Sequence, residues 1–66
     1  MPLMEVDSRE FDGLTVTFVY DSDTEISTIH VIDSKTEQHY AIECEKDSAP
    51  DCYRHPFAYI REAVLV

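Results

Sequence analysis

Positive charge is what this 66-residue chain lacks most: five Lys and Arg face fourteen Asp and Glu, for a formal charge of −9. That balance argues against a protein that binds nucleic acid or an anionic membrane unassisted, because like-charged surfaces repel. Glycine is nearly absent too. Gly13 stands alone, which excludes a glycine-rich phosphate cradle. No apolar run approaches the roughly 20 residues of a membrane span. The start, Met1-Pro2-Leu3-Met4-Glu5, has neither the basic region nor the apolar stretch of a secretory leader. Two cysteines without such a leader point to a reduced, cytoplasmic setting.

What is present reads as one small folded domain, 1–66. Hydrophobic residues make up 44% and charged residues 29%, an ordinary globular balance, and Phe, Tyr, Ile and Val recur throughout, which argues against disorder. A domain of this size buries only about 60% of its unfolded surface, so the core is thin. Domains below roughly 70–80 residues often need a staple, a metal or a partner chain.

The chain shows no repeat, low-complexity segment or linker. Residues 1–12, with Glu5, Asp7, Glu10 and Asp12, read as a lead-in. Alternating apolar residues then predict strands over about 14–20, 26–32 and 38–44, with Leu14, Val16, Phe18 and Tyr20, then Ile29 and Val31, then Tyr40, Ile42 and Cys44 on one face. The polar segments 21–24 and 33–36 are turns, so the strands form an antiparallel meander over 14–44. A first loop at 21–24 sets Val16 opposite Ile29 and Leu14 opposite Val31. A second loop at Ser34-Lys35 sets Ile29 opposite Tyr40; a loop two residues longer pairs Val31 with Tyr40 instead. Parity excludes only the odd shifts. After a loop at 45–51, Pro56 reads as the start of a helix over 54–65 that lays Phe57, Ile60 and Val64 on the sheet. The competing reading is a further strand at Ala63-Val64-Leu65-Val66. The fold expected is α+β, a three-stranded antiparallel meander with a C-terminal helix on one face. Its core comprises Val16, Phe18, Ile29, Val31, Tyr40, Ile42, Phe57, Ile60 and Val64.

In such a meander the first hairpin loop and the end of the third strand lie together. Asp21, Asp23, Glu25, Glu43, Glu45, Asp47 and Asp51 collect there, a concentration that attracts a basic protein surface or a cation. The plain alternative is that hairpin loops of any acidic protein are solvated and acidic; charge for solubility or for life in concentrated salt reads the same way. Asp21-Ser22-Asp23-Thr24-Glu25 also looks like the start of a calcium loop. Ile26 stands where the sharp turn needs Gly, and Ile32 where the bidentate Glu belongs, so an EF-hand is rejected. Cys44, Cys52 and His55, with His30 or His39 as a fourth ligand, offer zinc its preferred donors. They form no Cys-x-x-Cys knuckle, and two small buried thiols are the plainer reading. No nucleophile elbow or tuned carboxylate pair is visible, so neither an enzyme nor a cofactor is expected.

The segment His55-Pro56-Phe57-Ala58-Tyr59 resembles a motif of short uncharacterised proteins from actinobacteria and their phages, in which it follows strands and opens the final helix. Ile60-Arg61-Glu62 departs from the small residues of that pattern. The resemblance covers five residues and the general layout. It implies a helix and a microbial or phage setting, and no activity.

These readings lead to a non-enzymatic acidic module that binds a basic protein surface, in its narrowest form a nucleic-acid-mimicking inhibitor. The alternatives are a self-associating structural protein, a homodimer through the open sheet face or the C-terminus, and a small zinc domain. The open face carries Val19, Ile26, Ile32 and Ala41 among Thr15, Thr17, Thr28, His30 and His39.

Overall fold

A computed structural model describes residues 3–65, apart from the side chains of Glu62 and Val64. Four full antiparallel strands and a short fifth follow one another as a meander: β1 (Leu3–Phe11), β2 (Leu14–Asp21), β3 (Ile26–Asp33), β4 (Gln38–Cys44) and the two-residue β5 (Val64–Leu65). One short helix, α1 (Ala49–Arg54), and two 3-10 turns, Pro56–Ala58 and Ile60–Glu62, complete the α+β fold. The expected three strands are therefore too few.

The alternation at 14–44 works as its parity demands. Val16, Ile29, Val31 and Ile42 are buried on one face, where α1 adds Ala49 and Cys52 to form the core. Burying each such aliphatic side chain contributes about 1.5–3 kcal/mol relative to leaving it in water. Phe18, Tyr40 and Ile60 are only half-buried at the border of this cluster. Phe57 is 55% exposed, outside the core in which the helical spacing placed it. Val64, also expected there, lies outside the described side chains.

The first hairpin closes one residue further along than expected, on Asp21 and Ile26, which moves every cross-strand partner by two. Val16 faces Val31, Phe18 faces Ile29 and Leu14 faces Asp33. In the second, Val31 faces Tyr40, which is the longer-loop alternative. Both loops have the same chemistry, Asp-Ser-x-Thr-Glu, at 21–25 and 33–37, a five-residue repetition within a chain that has no longer repeat. In each, the first Asp carboxylate accepts the N–H two residues on, from Asp23 at 2.9 Å and from Lys35 at 2.9 Å. In each, the closing Glu is left-handed, Glu25 at φ 59° and Glu37 at φ 57°.

The supposed lead-in is a nine-residue strand. Asp12 and Gly13, at φ 49° and 77°, make the two-residue turn that folds β1 back on β2. Paired left-handed residues match the twist of a tight hairpin, and Asp-Gly favours them. The sequence hid this strand for two reasons. It is exposed along nearly its whole length, so no apolar face was needed, and an irregularity between Glu5 and Asp7 breaks its alternation.

The helix differs most from expectation. It occupies part of the presumed loop and stops where the expected helix began. Pro50 sits in its first turn, where a missing N–H costs nothing. Pro56 ends it, because the residue before a proline is pushed out of helical geometry; His55 lies at φ −131°, ψ 61°. The His-Pro-Phe-Ala-Tyr segment thus opens a 3-10 turn rather than a final helix. Beyond it the chain becomes extended, and β5 pairs with β4 through Tyr40 and Ala41, as the competing strand reading held.

One arginine ties β1 to this layer. Arg9 Nη2 donates to the carbonyl oxygens of Tyr53 at 2.7 Å and Arg54 at 3.1 Å, the last residues of α1. Carbonyls at a helix C-terminus lack partners within the helix and attract a cation. The same guanidinium lies over the rings of Tyr53 and Phe11, 4.9 and 5.3 Å from their centroids.

Candidate functional site

The meander brings part of the acidic set together. Asp21 and Ile26 close the β2–β3 hairpin, and Cys44 at the end of β4 lies opposite Ser27 at the start of β3. Asp21 and Glu43 therefore share one corner of the open face. Between them lies a shallow depression of about 230 Å³, lined by Leu3, Val19, Ile26, Thr24 and Thr28 with these two acids. Glu45 borders the same corner, beside Ile26 and Glu43. Asp23 and Glu25 are exposed on the adjoining loop.

The floor of this corner is apolar. Leu3 is 57% and Ile26 39% exposed there, with Val19 half-buried between strands β1 and β3. Val19 and Ile26 were legible as open-face residues. Leu3 was not, because its strand was read as a lead-in; it reaches the corner only through its pairing with Asp21.

Two of the seven acids stand apart from the depression. Asp47 is exposed in the turn before α1. Asp51 belongs to α1, and its carboxylate accepts the Tyr59 hydroxyl. That hydrogen bond, with burial and the Asp51 charge behind it, pushes the Tyr59 phenol up to about 12.

The sulfur and imidazole groups are split across the fold. Cys44 and Cys52 are buried in the core and form no disulfide. His55 is exposed at the end of α1. His30 and His39 occupy the opposite, open face, where His30 Nδ1 and His39 Nε2 share a hydrogen bond of 2.9 Å. Among the described residues no three His, Cys, Asp or Glu are grouped so as to hold a metal ion. No described helix is long and apolar enough to cross a membrane.

A groove on the covered side runs between β1 and α1, lined by Val6, Asp7, Arg9, Phe18, Pro50 and Tyr53. Among the described residues the Tyr53 hydroxyl, buried beside it, has no hydrogen-bond partner. Burial foremost, then the Asp7 carboxylate, raises its pKa. No protein family, characterised protein or solved structure matches the chain.

Proposed function

We propose that the chain is a small, non-enzymatic interaction module that takes a basic protein surface at the corner bounded by Asp21, Asp23, Glu25, Glu43 and Glu45. The observation that carries this reading is the apolar floor of Leu3, Val19 and Ile26 set between the Asp21 and Glu43 carboxylates. Solvated loop acids explain charge but not the exposed aliphatic side chains among them. Protein interfaces combine the two, an apolar centre and a polar rim, with charge steering the encounter and fixing its register. The partner that fits presents an aliphatic or aromatic side chain flanked by Lys or Arg. Where that basic surface is itself a nucleic-acid site, the module acts as a competitive inhibitor.

A nitrogen-labelled sample titrated with an amphipathic Lys/Arg-rich peptide tests the reading. The amides of Leu3, Val19, Ile26, Thr28 and Glu43 should shift. Raising salt should weaken affinity on the order of tenfold or more, because exposed charges separated by more than about 8 Å are screened at physiological ionic strength. The pair Asp21→Lys and Glu43→Lys should weaken it similarly, and so should Ile26→Ser. Shifts confined to other residues, or affinity indifferent to salt and to these substitutions, overturn it.

A further inference from the structure

β1 is an outer strand, hydrogen-bonded to β2 on one side. Long, exposed edges are a template for pairing with another chain, and proteins commonly blunt them with lysine, proline or a bulge. The Leu3–Phe11 sequence contains no Lys and no Pro, and its one irregularity, between Glu5 and Asp7, leaves the stretch beyond it regular. Val6 is 52% exposed on this strand.

The hairpin determines which backbone groups face outward. A two-residue turn makes Phe11 and Leu14 a hydrogen-bonded pair, and alternation extends this to Arg9 with Val16 and Asp7 with Phe18. Ser8 and Glu10, at the intervening positions, aim their N–H and C=O away from β2. Ser8 bears this out, since its N–H donates to the neighbouring Asp7 Oδ1 at 2.8 Å.

We propose that this edge pairs antiparallel with the same edge of a second copy, about a two-fold axis through Ser8. Charge selects the register. An axis at Ser8 sets Asp7 of each copy opposite Arg9 of the other, so the contact is made twice. An axis at Asp7, Arg9 or Glu10 opposes two like charges, which is destabilising. An axis midway between residues matches an outward-facing position with an inward-facing one and breaks the ladder. Pairing at Ser8 also brings Val6, at the irregularity and on the covered side, towards Phe11 of the other copy. Arg9 spends Nη2 on the helix carbonyls, and its guanidinium fork has further donors for the second copy's Asp7. The axis stands perpendicular to the sheet, so both helices lie on the same side of one continuous sheet. The stretch Val6–Glu10 leaves the corner at Asp21 and Glu43 open, and dimerisation and partner binding succeed or fail independently.

Sedimentation equilibrium of the full chain, from micromolar to millimolar concentration, should give a monomer–dimer equilibrium. Hydrogen exchange at the Ser8 and Glu10 amides should slow as concentration rises. Ser8→Pro removes an N–H that β2 does not use and should yield a folded monomer with an unchanged circular dichroism spectrum. Asp7→Lys places like charges opposite each other twice and should raise the dimer dissociation constant about tenfold or more. It also lowers the net negative charge, so generic association would strengthen rather than weaken. A strict monomer at millimolar concentration overturns the proposal. So does a dimer that keeps its strength in Asp7→Lys.

Discussion

His30 and His39 sit diagonally across β3 and β4, with ring centroids 5.0 Å apart and one hydrogen bond between them. That bond needs one ring to accept, so at least one imidazole is neutral. Burial chiefly, and the His39 charge next, lower the His30 pKa below its ordinary 6.5. A histidine whose folded pKa is depressed favours the neutral form. Its contribution to stability is full above 6.5 and is lost as pH falls from there through the folded pKa. Proton NMR should therefore show His30 titrating below 6.5. His39→Gln should move that midpoint upward without restoring it fully, because burial is the larger cause. A His30 midpoint indifferent to His39→Gln shows that the rings are not coupled. On the same face Thr17 stands opposite His30 and Ile32 opposite His39, while Glu10 is held towards Thr15 at 3.4 Å and Glu43 lies opposite Thr28, which leaves the partner ring as the adjacent charge among the described residues.

At the scale of elements, the two Asp-Ser-x-Thr-Glu loops each put a glutamate where glycine has no steric penalty. Left-handed backbone costs an ordinary residue about 1–2 kcal/mol, part of which glycine returns through the larger entropy of its unfolded chain. Glu37→Gly should raise stability by up to about 1 kcal/mol, read from the urea midpoint at unchanged m-value. A loss of stability means that the Glu37 side chain contributes more than its backbone strain takes away. These loops also show what sequence could and could not convey. Alternation sorted β2, β3 and β4 onto the correct faces, because Val16, Ile29, Val31 and Ile42 leave no other parity. It could not choose between registers two residues apart, since both keep the same face. β1 escaped because an exposed strand needs no apolar stripe, although Asp12-Gly13 carried the hairpin signal. Pro56 was read as opening a helix when it closes one, a distinction that depends on where helical residues lie before it. The acidic corner was legible from topology once the meander was known. Its apolar floor was not, because Leu3 arrives only with β1.

Across the whole molecule, salt acts with opposite signs on the three properties proposed. Thirteen of the fourteen acids precede Tyr53, so repulsion is concentrated in the sheet and its loops rather than spread over the chain. At −9 that repulsion opposes folding of a thin core, and screening relieves it. The melting temperature at pH 7 should rise as sodium chloride is added from low ionic strength. The gain should shrink as pH approaches the isoelectric point near 4.4, where little net charge is left to screen. The β1–β1 dimer should behave in the same direction, because two anionic copies repel overall while their two Asp7–Arg9 contacts are short-range. Affinity for a basic partner should move the other way. A melting temperature flat with salt at pH 7 would place the carboxylates far enough apart that they do not destabilise the fold. The charge at the corner would then have no folding cost for binding to offset, and salt-weakened binding could be read without correction for stability. A rising melting temperature instead requires binding to be compared only where the chain is fully folded at every salt concentration, and thermal scans on the same samples supply that check.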